Sequence, residues 1–239
     1  GDYEYRLQGG THDMSVLIVA SHPDDEVLGC GGTIMRHVRN DERVTVAILG
    51  EGVTSRQPTV RETSIQSLSD LRDAAREAAT QLGVTDLRLF DYPDNRFDTV
   101  ELLDLVRTVE EIIADVKPHT VYCQHGGDLN IDHQLTFRAV LTATRPQPGQ
   151  VAKRLYTWST RSATEWTFGS ISPVFVPRLF VDISSTLQDK LEALSIYGNE
   201  LRPWPHSRSL QAIEAACRSN GAKVGLEAAE VFDVIRIID

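Results

Sequence analysis

Apolar and polar positions fall into two kinds of block along the chain. Short, nearly unbroken apolar runs recur at SVLIVA (15–20), VTVAILG (44–50), LRLF (87–90) and HTVYCQ (119–124). Runs of this kind, rich in β-branched residues, predict strands buried on both faces, as in parallel sheet. Helical stretches lie between them. Residues 27–39 form one, and the alanine-rich LSDLRDAAREAATQLG (68–83) forms another that stops at Gly83. Val100, Leu103, Val106, Val109 and Ile113 set an amphipathic helical period over 99–116, and a fourth helix follows over 131–144. YPDN (92–95) and RPQPG (145–149) interrupt both periods with turn-forming residues.

Four strand–helix units in succession predict an α/β fold, a Rossmann-like three-layer sandwich with a mostly parallel sheet. Right-handed crossovers then bring the C-terminal ends of the strands to one edge, where such sheets bind ligands. Beyond about residue 146 the pattern loosens into a C-terminal elaboration. Strand-like pieces appear at 154–159 and 174–182, a helix at 184–198 capped by Ser184 or Ser185, a further helix near 208–219 and a last strand near 231–238. With no linker or repeat, residues 14–239 read as one domain. Residues 1–13, GDYEYRLQGGTHD, are polar and aperiodic and read as an expression remnant outside the fold.

Composition narrows the partners. The 24 basic and 34 acidic residues leave a net charge of −10, the wrong sign for a sequence-independent nucleic-acid binder. No apolar window approaches the length of a membrane span. The three cysteines, Cys30, Cys123 and Cys217, are too scattered for a disulfide framework or a Cys-x-x-Cys metal site, which points to a reducing, cytoplasmic setting. A homo-oligomer is compatible with all of this.

The chemistry concentrates at two strand ends. After the first strand comes HPDDEVLGCGGT (22–33). Its glycines, Gly29, Gly31 and Gly32, are wrongly spaced and too late for a dinucleotide fingerprint, and three carboxylates at the turn would repel a pyrophosphate. His22 and Asp25, three apart around Pro23, can instead converge on one cation. Asp24 is then left beside the ion as a candidate base for water. After the fourth strand comes QHGGDLNIDHQ (124–134), with His125, Asp128, Asp132 and His133. His133 would complete a two-nitrogen, one-oxygen set with His22 and Asp25, as in an open catalytic zinc site. The lesser alternative is that the same stretch caps a helix through Asp128 or Asn130 and leaves its histidine solvated.

HPDDEVLGCGGT and DLNIDH resemble the two signature motifs of the LmbE/PIG-L family of zinc-dependent N-acetylglucosaminyl de-N-acetylases. Weaker similarity runs through LRDAAREAATQLGV, YPDNRFD, DKLEALSIYGNELRPWPHSRS and GLEAAEVFDVIR, and so covers nearly all of the chain from Met14. The resemblance implies Zn2+ held by His22, Asp25 and His133, with Asp24 as general base. It also implies hydrolysis of the acetamide of a small-molecule amino-sugar conjugate. Many members carry a carbonyl-polarising histidine where this chain has Asn130; His206, in the C-terminal segment, and His125 are the candidate replacements.

Asp132 is expected to support the site by orienting an imidazole or the base. Arg72 and Asp94 are expected at sugar hydroxyls, and Arg56, in the loop after the second strand, at an anionic group. Trp158, Trp166 and Trp204 are candidate stacking faces for a sugar. Two other readings remain: a non-catalytic sugar- or nucleotide-binding module, and a non-haem Fe(II) enzyme, since two histidines and a carboxylate also bind iron.

Overall fold

The computed structural model describes residues 14–52 and 65–239; the segment 1–13 and Arg56 lie outside the described residues. The first part of the chain runs β1 (Ser15–Ala20), α1 (Asp25–Arg39), β2 (Arg43–Gly50), α2 (Ile65–Gln81), β3 (Asp86–Tyr92), α3 (Leu102–Val116), β4 (Thr120–Gln124) and α4 (Ile131–Ala143). The remainder supplies β5 (Arg154–Trp158), β6 (Leu179–Asp182), α5 (Leu187–Ile196), α6 (Leu210–Ala222) and β7 (Ala229–Ile237).

The strands form a seven-stranded sheet in the order β3-β2-β1-β4-β5-β7-β6. β3 through β5 are mutually parallel, and β7 runs antiparallel between β5 and β6. The fold is thus the expected Rossmann-like α/β sandwich.

Alternation along the central strands explains their unbroken apolar runs. Val16, Ile18, Val46 and Ile48 face one layer, with α1, α2 and α5, while Leu17, Val19, Ala47 and Leu49 face the other, with α3 and α4. Both faces are therefore core, and burying each large aliphatic side chain contributes roughly 1.5–3 kcal/mol. Among the described residues, no helix is long and apolar enough to cross a membrane.

Several elements depart from expectation for identifiable reasons. α3 starts only at Leu102, after a 3-10 turn at Phe97–Thr99, and Leu103 lies on its exposed side, 51% accessible. The buried face carries Leu105, Val109, Ile112 and Val116, because α3 packs on both the sheet and α4. The piece at 174–182 pairs only over β6, an edge strand preceded by Pro173 and Pro177, which lack the N–H a ladder needs. α5 begins after Thr186 rather than at Ser184 or Ser185; the backbone N–H and hydroxyl of Ser184 are turned back onto Asp182. Trp158 is core, whereas Trp166 and Trp204 are exposed.

Helix α1 is broken. Cys30 has non-helical angles (φ −147°, ψ 24°), and the break creates orphan groups on both sides. Glu230 of β7 receives the N–H of Gly32 at 3.0 Å and the N–H and hydroxyl of Thr33 at 2.7 and 2.6 Å. Lys190 of α5 donates to the Leu28 carbonyl at 2.8 Å and to Glu230 at 2.6 Å. The C-terminal elaboration thereby caps both halves of the helix that carries Asp25. Gly29 permits the close packing this requires: a Cβ there would meet Trp158 at 2.2 Å.

Candidate metal site

β1 and β4 are neighbours, yet their following helices lie on opposite faces of the sheet, so a crevice opens at their C-terminal ends. The two chemistry-bearing stretches meet there. His22 follows β1, Asp25 opens α1, and His133 sits in the first turn of α4. Ligand atoms of the three lie within 4.8 Å of one another and are buried or nearly so.

Asp25 is oriented through one oxygen. Its Oδ2 accepts the His22 backbone N–H at 3.0 Å and the Gln124 amide at 2.9 Å, and lies 3.3 Å from His22 Nδ1 and 3.2 Å from His133 Nε2. Its Oδ1 makes no hydrogen bond, and neither ring nitrogen of His133 makes one either. Asp128 approaches His133 Nδ1 at 3.2 Å, without hydrogen-bond alignment, and is itself held by the Thr164 hydroxyl at 2.6 Å and the Asn130 N–H at 2.8 Å. Buried polar atoms left without hydrogen bonds are costly. Asp25 Oδ1 and the two His133 nitrogens are such atoms, and together with His22 the two imidazoles and one carboxylate fit the donor set of a zinc ion with an open position.

A second group, His22, Asp94 and Asp132, shares His22. Asp132 Oδ2 takes His22 Nε2 at 2.8 Å, and its two oxygens receive the backbone N–H groups of Asn95 at 2.6 Å and Phe97 at 2.9 Å. Asp94 Oδ1 lies 3.2 Å from the same Nε2. Its carboxylates are engaged with protein donors, so this group orients His22 and turns Nδ1 toward Asp25, as carboxylates do behind metal-binding histidines.

Charges follow from this geometry. Burial works against a positive His22, but the hydrogen bonds it donates to Asp132 and Asp25 and the charges of Asp25 and Asp94 outweigh it, raising its pKa to about 10. His133 is likewise carried to about 9, the carboxylates of Asp25 and Asp128 overcoming burial. Asp25 is held well below the usual carboxylate range, because the two imidazoles outweigh its burial.

Asp24 differs from its neighbours. It caps α1 in the left-handed region at φ 99°, a conformation that strains a residue with a side chain. Its backbone N–H donates to Glu26 at 3.1 Å, and Glu26 receives the Tyr197 hydroxyl at 2.7 Å. Burial raises the Asp24 pKa well above normal, and the Arg208 guanidinium, 3.0 Å away, pulls it back in part. A strained, buried, proton-avid carboxyl beside a metal-type cluster is equipped to exchange protons.

The remaining candidates separate. Asn130 caps α4 through Asp132 N–H at 2.8 Å and ties its amide to Asn95 at 2.9 Å, so it serves local structure. Asp94 faces His22 rather than solvent. His125 is fully buried, with Nε2 2.8 Å from the Pro173 carbonyl, Nδ1 3.3 Å from the Thr157 hydroxyl and Phe175 edge-on, so it is not turned to a substrate. Gly127 lets this loop close, since a Cβ there would strike the Pro173 carbonyl at 1.7 Å. Arg72 pairs with Asp91 near the end of edge strand β3. His206 accepts the Arg208 backbone N–H at 3.0 Å and packs edge-on against Trp166.

Sequence reasoning missed Arg208, Glu26, Tyr197 and Gln124 as parts of this site. Gln124 carried a signal, as the last residue of a strand beside β1. Arg208 carried none, since it meets Asp24 across 184 residues.

Fold and site together define a Rossmann-like α/β protein with a buried His-Asp-His cluster of metal-binding type at its switch point. Residues 17–144, more than half the chain, match the family described as PIG-L, GlcNAc-PI de-N-acetylase, and the chain belongs to this family. It is 26% identical over 200 residues to a Bacillus cereus protein named "Probable N-acetyl-alpha-D-glucosaminyl L-malate deacetylase 2", covering 79% of this chain and 84% of that one. Among solved structures, the N,N'-diacetylchitobiose deacetylase of Pyrococcus horikoshii, complexed with an inhibitor, matches with TM-score 0.72 and 18% identity over 93% of this chain and 84% of that chain. The 4-carboxy-2-hydroxymuconate hydratase of Pseudomonas putida matches with TM-score 0.74 and 18% identity over 95% and 98%. These two likenesses concern the fold alone, which carries both a deacetylase and a hydratase.

Proposed function

We propose that the protein is a zinc-dependent N-deacetylase of the cytoplasm. It hydrolyses the linear amide of an N-acetylglucosamine-type small-molecule conjugate to acetate and a free amine. The observation that carries this reading is the buried His22-Asp25-His133 cluster, with Asp25 Oδ1 and both His133 nitrogens lacking hydrogen bonds, set beside the strained Asp24. Family membership and the deacetylase named in Bacillus cereus support the amide and the amino sugar.

Zinc held by His22, Asp25 and His133 would supply a Lewis acid and ease the ionisation of water near neutral pH. Asp24 accepts the proton of the attacking water and returns it to the amine nitrogen as the C–N bond breaks. Its raised proton affinity serves the second transfer, and Arg208 moderates that affinity for the first. Asp132 fixes the imidazole of His22 through Nε2, and Gln124 fixes Asp25 through Oδ2, so the ligands are aimed before any metal arrives.

The test is acetate release from a panel of N-acetylglucosaminyl conjugates, with metal content measured in parallel. Release that a chelator abolishes and zinc restores is the expected result. Zinc-loaded protein that releases no acetate from any member would sink the reading, and a hydratase assay on unsaturated hydroxy acids then becomes the next measurement. Stoichiometric iron with oxygen-dependent turnover would overturn it in favour of an Fe(II) enzyme.

A further inference from the structure

Asp24 is held at both ends by residues beyond the family-matched span 17–144. At the side chain, Arg208 Nη1 donates to Asp24 Oδ2 at 3.0 Å. At the backbone, Tyr197 donates its hydroxyl to Glu26 Oε1 at 2.7 Å, and Glu26 Oε2 receives the Asp24 N–H at 3.1 Å. Tyr197 closes α5 and Arg208 precedes α6, so a single connection of the C-terminal elaboration supplies both anchors.

The anchors are themselves fixed. Arg208 Nε donates to the Arg161 carbonyl at 3.2 Å, in the loop after β5. Its backbone N–H is taken by His206 Nδ1 at 3.0 Å, and the ring of His206 rests edge-on against Trp166 in that same loop. Tyr197 is 2% accessible. A guanidinium secured at Nε presents its fork in one direction, which suits it to aim a carboxylate.

We propose that the connection between α5 and α6 is a working part of the site, with Arg208 positioning the carboxylate of Asp24 and Tyr197, through Glu26, positioning its left-handed backbone. Both are positioning residues, since Arg208 acts through the Asp24 carboxylate and Tyr197 through Glu26. The proposal rests on the deacetylase reading and assigns the cation beside the base to Arg208. That role falls to it because Asn130 and His125 are engaged in local structure and His206 serves the Arg208 turn.

The measurement is steady-state acetate release by full-length, zinc-loaded protein as wild type, Arg208→Ala, Arg208→Lys and Tyr197→Phe, with zinc content and thermal midpoint followed for each. Misaiming a catalytic group can cost on the order of 100-fold, so Arg208→Ala is expected to lose kcat on that scale while KM and zinc content hold. Added guanidinium salt should recover part of the Arg208→Ala loss, which a merely structural role would not allow, and Arg208→Lys should fall between alanine and wild type. Tyr197→Phe, which removes one oxygen, should lower kcat with zinc retained.

An active wild type whose Arg208→Ala variant keeps its kcat within about twofold overturns this proposal alone. So does a loss that tracks zinc content or the thermal midpoint and ignores guanidinium. Wild-type protein without acetate release overturns this proposal together with the deacetylase reading.

Discussion

Asp24 and Asp25 are chemically identical neighbours with opposite fates. Asp25 begins α1 and faces two imidazoles, which hold its carboxyl ionised; Asp24 turns the other way through a left-handed backbone and keeps a high proton affinity. Pairs of carboxyl groups whose environments push their pKa values apart reveal which is ligand and which is base. Asp24→Asn should therefore lower kcat about 10²–10⁴-fold while leaving zinc content at wild-type level, measured by acetate release and metal analysis. Asp132→Ala works differently, because Asp132 orients His22 without facing the cluster's open side. It should weaken zinc binding about 10–100-fold, read from chelator competition. His22, Asp24, Asp25 and His133 were legible in the sequence because each follows a buried strand at a short, fixed distance. The partners of Arg72 and His125 were not legible, since nothing local reveals that Asp91 pairs with one and the Pro173 carbonyl with the other.

At the scale of elements, the helical period of α3 was readable and its buried face only partly so. Leu105 is fully buried and Leu103 exposed, so Leu105→Ala should cost about 2–5 kcal/mol and Leu103→Ala less than about 0.5 kcal/mol in denaturant unfolding. The reverse ranking would place the helix in another rotation. The broken α1 depends on a cap that no local pattern announces. Glu230→Ala would leave Lys190, 1% accessible, as an uncompensated buried cation, and should destabilise by about 3–5 kcal/mol. Burial lowers the Lys190 pKa, but the Glu230 charge more than reverses this, so the folded value lies above the unfolded one. The pair's contribution is then complete below the unfolded lysine value of about 10.4 and fades as pH climbs through the folded value. In Glu230→Ala, burial without that charge pulls the lysine pKa below its unfolded value, so the stability gap between wild type and variant should be widest at low pH and narrow as pH rises, starting below about 10.4 and continuing above it.

For the whole molecule, all three cysteines are free and buried, and burial raises each thiol above its ordinary pKa. Native protein should leave a thiol reagent such as DTNB unreacted, and denatured protein should release all three equivalents; rapid native labelling would show that the core opens readily. The sequence by itself determined the α/β class, the parallel central strands and the place of the cluster, because strand periodicity and residues adjacent to strand ends are short-range facts. It also carried the two signature motifs, since each ligand turn is contiguous. Only the tertiary structure decided that β7 inserts antiparallel between β5 and β6, that Glu230 and Lys190 splice a broken helix, and that Arg208 meets Asp24. Those contacts join residues 162 to 198 positions apart, at distances no local period encodes, and they form only once the C-terminal elaboration packs over α1.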